Sequence, residues 1–138
     1  MKQFYSCIDA TLPAPQSEQH SLMQNMAWKL HGKIVFYGAE ELLVIKEQPF
    51  ILQKLLSTPN LNGVIFFTFD QFCYSGKINL KLIHEILKNK FSIHFARENL
   101  NFLDKSDLLD QFIVLSSYSY SRSRNKIKEV SELNSYLN

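Results

Sequence analysis

The sequence has 138 residues, of which 46% are hydrophobic and 20% charged, proportions that fit one globular domain with a buried core and exclude a disordered chain. Fifteen Lys and Arg against thirteen Asp and Glu leave a net charge of +2, too small by itself to argue for attraction to nucleic acid or a membrane surface. No stretch approaches the roughly eighteen apolar residues of a membrane span, and the opening Met-Lys-Gln-Phe-Tyr lacks a secretory apolar region, so the expected location is cytoplasmic.

Gln3 to Ile8 is a short apolar and aromatic run closed by Asp9 and the Pro13-Ala14-Pro15 break, the pattern of a first strand and a turn. From Ser17 to Leu30 the residues Leu22, Met23, Met26, Ala27 and Leu30 recur at helical spacing, and His31-Gly32 supplies a stop. Lys33 to Tyr37 reads as a second strand. A second helix starts near Pro49, where a missing N–H costs nothing, and buries Ile51, Leu52, Leu55 and Leu56. Val64 to Phe69 is uninterrupted apolar text apart from Thr68, which suits a central parallel strand covered on both faces.

Leu80, Ile83, Ile86 and Leu87 place a third helix between Asn79 and Asn89, and Phe91 to Ala96 reads as a fourth strand. The β-α-β-α-β-α-β alternation predicts a three-layer α/β domain, with a four-stranded, mainly parallel sheet and helices on both faces. Residues 108–138 are expected to extend it as a C-terminal helix carrying Phe112, Leu115, Ile127, Val130 and Leu137, although Tyr118 and Tyr120 would equally suit an edge strand. The basic surplus sits here, in Arg122, Arg124, Lys126 and Lys128. Apolar surface along such a helix predicts a homodimer paired through residues 108–137.

Ligands of open parallel sheets bind beyond the carboxyl ends of the strands. That rule selects Asp9 and Thr11 after the first strand, Glu40 and Glu41 after the second, Asp70, Gln71 and Ser75 after the third, and Arg97 and Glu98 after the fourth. Asp70 follows the most apolar strand, where partial burial would raise its pKa or a partner such as Arg97 would pair with it. Asp70, Glu98 and Asp9 are the candidate catalytic carboxylates; Thr11, Glu40, Gln71, Ser75 and Arg97 are candidate ligand-binding residues. The four histidines and the two cysteines, Cys7 and Cys73, have no metal-ligand spacing, and no glycine-rich phosphate loop is present, so neither a metal nor any cofactor is expected.

Residues 63–100, GVIFFTFDQFCYSGKINLKLIHEILKNKFSIHFARENL, resemble the catalytic domain of the serine recombinases, the resolvases and invertases. In that family an apolar strand leads to Asp-Arg-x-x-Arg-Ser, then a helix, a strand and a Glu. Asp70, Ser75 and Glu98 fall at the matching places, and Tyr5 matches the start of the first strand. The likeness implies a resolvase-like, or flavodoxin-like, fold. The departures fall on the reaction centre. Asp9 stands where the nucleophilic serine belongs, and Cys7, Gln71 and Tyr74 replace the arginines that hold the phosphoryl group.

The stretch GVIFFTFDQF, the helix after it and IHFARENL are also similar to the sporadic carbohydrate cluster proteins, small bacterial relatives of the resolvase domain found beside surface-polysaccharide genes. This resemblance implies a place in polysaccharide or sugar-nucleotide metabolism and no particular reaction. Joined to the departures at the reaction centre, it leads to the expectation of a domain inactive in strand exchange that binds or modifies an activated sugar at the strand ends. The expected partner is thus a sugar or sugar nucleotide. The alternative is a DNA-binding or regulatory module using the basic C-terminal residues.

Overall fold

The computed structural model describes residues 1–74 and 77–111. Its elements are β1 (Lys2–Ile8), α1 (Gln16–Lys29), β2 (Gly32–Ala39), α2 (Phe50–Ser57), β3 (Gly63–Phe66), a 3₁₀ turn (Phe69–Phe72), β4 (Cys73–Tyr74), β5 (Lys77–Ile78), α3 (Leu80–Lys88), β6 (Ser92–Phe95), β7 (Leu100–Phe102) and α4 (Lys105–Asp110). The main sheet runs β2-β1-β3-β6-β7, and the first four strands are parallel. β4 and β5 form a separate small hairpin.

Two features depart from the expected sheet. It has five strands rather than four, because β7 turns back antiparallel against β6. Only three residues long and entered through a polar turn, β7 has too little text to show a period. β3 also leaves the ladder at Phe66, so the run through Phe69 is a strand followed by a turn rather than one longer strand. Of the expected C-terminal extension over residues 108–138, residues 108–110 end α4, with Leu108 buried in the core, and the remainder beyond Gln111, with its dimer contact, lies outside the described residues.

Alternation along the strands sorts side chains to two faces. Phe4, Ile8, Ile65 and Phe67 meet Met23, Met26 and Ala27 of α1 on one side. Cys7, Val64, Phe66, Ile93 and Phe95 face Ile51, Leu55, Ile83, Ile86 and Leu108 of the other helices. All four β3 residues are buried, as the middle strand of a three-layer domain requires. On the second face Phe95 is the hub of a ring cluster, within 5.2–6.0 Å of the centroids of Phe66, Phe69, Phe72 and Phe102.

Gly63 is needed where β3 and β6 approach. A Cβ there would stand 2.5 Å from the Ser92 carbonyl oxygen, a main-chain atom that cannot swing away. Gly63→Ala should therefore cost about 1–3 kcal/mol by forcing the strands apart, read as a lower urea midpoint.

His94 occupies the α1 face of β6 at 1% exposure, edge-on to Phe4. Its Nδ1 lies 2.6 Å from Asn101 Oδ1, and its Nε2 lies 2.8 Å from Ser92 Oγ. An amide oxygen opposite Nδ1 assigns the proton to that nitrogen, and Nε2 then accepts from the serine. Burial holds its pKa below the ordinary imidazole value. The unfolded chain therefore binds this proton first. Stability should be unaffected by this group above about pH 6.5 and fall as pH drops below it. His94→Gln should flatten that part of a plot of denaturation midpoint against pH; an unchanged slope would contradict the assignment.

Candidate functional site

At the carboxyl end of β1, Asp9 is clasped by a glutamine from α1. Gln19, fully buried, accepts from the Asp9 N–H at 3.1 Å and donates to the Asp9 and Ala14 carbonyls at 3.0 Å each. Every polar atom of that amide is used in fixing the β1–α1 loop. The Asp9 carboxylate, 6% exposed, turns back onto the same loop and accepts from the N–H and hydroxyl of Thr11.

After β2, Glu40 serves a helix end. Its two oxygens accept from the N–H groups of Phe50 at 2.9 Å and Ile51 at 2.8 Å, and Lys46 Nζ approaches at 3.1 Å. A carboxylate on the first N–H groups of α2 satisfies donors that have no partner inside the helix and complements its dipole. Pro49 brings no cap of its own, so Glu40 takes that role from ten residues away.

The loop after β3 is closed by a reciprocal pair. The Thr68 N–H donates to Gln71 Oε1 at 3.0 Å, and the Thr68 hydroxyl accepts from the Asp70 N–H at 3.3 Å. Gln71 Nε2 reaches across to the Cys7 carbonyl at 3.1 Å and ties this loop to β1. From the turn after β6, Glu98 Oε1 accepts from the Phe69 N–H at 2.9 Å, and Oε2 accepts from the Thr68 hydroxyl at 2.6 Å. Arg97 then bridges two carboxylates, with Nη2 2.7 Å from Asp70 Oδ2 and Nε 3.1 Å from Glu98 Oε2. Its guanidinium carbon lies 6.0 Å from the centre of the Phe67 ring.

Asp70, Phe67 and Arg97 line a cleft of about 320 Å³ together with Leu12, Pro13, Ala14 and Cys73. Its polar side is an ion pair and its remaining walls are apolar. Among the described residues Asp70 and Arg97 are the charged groups that line this cleft, while the Asp9 and Glu98 carboxylates are committed to the loops around it. Cys7 stands where the resemblance would place a phosphate-binding arginine. Burial, followed by the charge of Glu40, pushes its thiol pKa far up, so it is neither a cation nor a thiolate. The Tyr5 phenol is likewise raised, first by burial and then by Cys7 and Glu40.

Among the sequence-selected residues, Asp70, Arg97 and Glu98 meet in one network. Gln71, 3% exposed, braces the loop that carries Asp70. Thr11 binds Asp9 in a neighbouring loop, and Glu40 works apart from the cluster at α2. Ser75 lies outside the described residues. Thr68 and Gln19 escaped sequence reasoning: one is hidden inside an apolar run and the other on a helix, and only their buried hydrogen bonds reveal them. Among the described residues no group of three or more His, Cys, Asp or Glu could hold a metal ion, and no helix is long and apolar enough to cross a membrane.

No family model and no curated protein matches the chain. Among solved structures, the N-terminal catalytic domain of TP901-1 integrase superposes with a TM-score of 0.63 at 13% sequence identity, over 88% of this chain and 97% of that one. Identity this low speaks for the backbone and not for the chemistry. With its mainly parallel five-stranded sheet and flanking helices, the chain has the resolvase-like fold of such a catalytic domain.

Proposed function

We propose that this resolvase-like domain performs no DNA strand exchange and instead binds an activated sugar in the cleft at the strand ends, in bacterial surface-polysaccharide or sugar-nucleotide metabolism. The observation that carries the reading is the Asp70–Arg97–Glu98 network beside the Phe67 ring. Carboxylates accept from sugar hydroxyls, a guanidinium donates to ring and hydroxyl oxygens, and the apolar Phe67 and Pro13 suit the C–H face of a pyranose. Asp9, Thr11 and Gln71 hold the loops, and Glu98 fixes the turn from which Arg97 projects. The resemblance of GVIFFTFDQF and IHFARENL to carbohydrate-cluster proteins implies the same metabolic setting.

The surroundings disfavour phosphoryl transfer. Asp9 would repel a phosphate where a nucleophile is needed, and the sequence has three arginines, of which Arg97 is engaged with two carboxylates.

Calorimetric titration with a panel of nucleotide sugars tests the reading. At least one should bind, and Asp70→Ala and Arg97→Ala should each weaken it about tenfold or more. A panel that neither binds nor turns over would sink it. The rival, a DNA-binding module using the basic residues 122–128, predicts binding to duplex DNA at low salt that weakens steeply as salt rises. Pairing of two copies through residues 108–137 belongs to either reading, and sedimentation of the full chain decides it.

A further inference from the structure

Beside α1, away from the ion-pair network, a second cleft of about 430 Å³ opens on the same face of the sheet. Its floor is Leu22, Met26 and Ala96. At its rim stands Trp28, the one tryptophan of the sequence, 76% exposed. An indole left this far in water forgoes a large burial gain, and rings so placed are efficient stacking platforms.

The polar groups around it are neutral or cationic. Asn25 and Asn99 supply carboxamides, Lys29 an ammonium and His31 an imidazole, and among the described residues no carboxylate lines the cleft. Among the described residues none of these four side chains makes a hydrogen bond or ion pair, so their donors remain available to a ligand. His31 and Asn99 hold left-handed backbone, with φ of 59° and 54°. At the first position past a helix that conformation ordinarily goes to glycine, yet here it presents an imidazole.

A flat ring with hydrogen-bonding edges and an attached negative charge fits this set: the ring on the indole, its edge on the carboxamides and its anion on Lys29. We propose that the Trp28 cleft binds a nucleoside phosphate, with the base stacked on the indole and the phosphate on Lys29 and His31. The turn between β6 and β7 contributes Ala96 and Asn99 to this cleft and Arg97 to the strand-end cleft, so the two share a wall. The nucleotide site does not depend on a sugar binding next door, and a nucleotide without a sugar substituent tests it alone.

Because Trp28 is the sole tryptophan, its fluorescence reads the cleft directly. Titration of the full chain with UMP and with AMP should give saturable quenching with a dissociation constant below about 1 mM for at least one of them. Lys29→Glu and Asn99→Ala, both surface changes whose folding circular dichroism checks, should weaken it about tenfold. Uridine and inorganic phosphate alone should bind less well than UMP. His31→Gly, which relaxes the left-handed backbone, should raise the melting temperature while weakening the nucleotide. No saturable change with either nucleotide up to about 10 mM would overturn the proposal, as would affinities untouched by all three variants. An oligothymidylate binding more than about a hundredfold tighter than either nucleotide would overturn it in favour of a nucleic-acid strand.

Discussion

Phe95→Ala should lower the stability of this domain by about 3–5 kcal/mol, the largest effect of any single truncation considered for the chain. Phe95 is wholly buried on β6, stacked on Phe66 at 5.7 Å and edge-on to Phe69, Phe72 and Phe102. The ring is braced from β3, the 3₁₀ turn and β7 together, so no neighbour can collapse into the space without breaking its own contacts. The lost transfer energy and the residual cavity therefore add. Phe36→Ala is the internal control: that ring is 47% exposed on the edge strand β2 and, among the described residues, stacks on Tyr5 alone, so about 1 kcal/mol or less is expected. Urea denaturation of both variants gives the comparison. Equal losses would mean that the aromatic cluster does not hold the sheet to its helices as described.

Glu98→Ala should cost about 2–4 kcal/mol, although its side chain lies at a loop and not in the core. The deletion strands two buried donors, the Thr68 hydroxyl and the Phe69 N–H, each left without the acceptor it has at 2.6 and 2.9 Å. Leaving a buried donor unsatisfied costs more than the bond itself contributes, so the two donors dominate. The Arg97 contact adds little, because that side chain is 43% exposed and water screens the pair. Glu98→Gln keeps one acceptor and should recover part of the loss. Amide exchange at Phe69 gives the local readout, since its protection should drop more than that of β1. If Glu98→Ala stays within about 0.5 kcal/mol of the parent, Glu98 is not the strut that the geometry describes. Since the 3₁₀ turn that Glu98 braces carries Asp70, the variant should also weaken any ligand of the strand-end cleft.

Much of the architecture is legible in the sequence because it depends on local pattern. The Val64–Phe67 run is apolar on both faces, and only the middle of a sheet covered on both sides has room for it; β3 is there. The helical stripes of Met23, Met26 and Ala27 and of Ile83, Ile86 and Leu87 locate α1 and α3 for the same reason. The residues after each strand were selectable because parallel strands all end on one side.

What each of those residues does was decided by tertiary contact. Glu40 and Arg97 look alike in sequence, each a charged residue just past a strand. Yet one caps α2 through Phe50 and Ile51, and the other bridges Asp70, 27 residues away, to its neighbour Glu98. Spacing along a chain sets which side of an element a residue occupies, but not which distant donor will meet it once loops close. The same holds for β7, whose three residues become a strand only because β6 offers an edge, and for Trp28, which a helical stripe places on α1 but which only the packed sheet leaves standing in water.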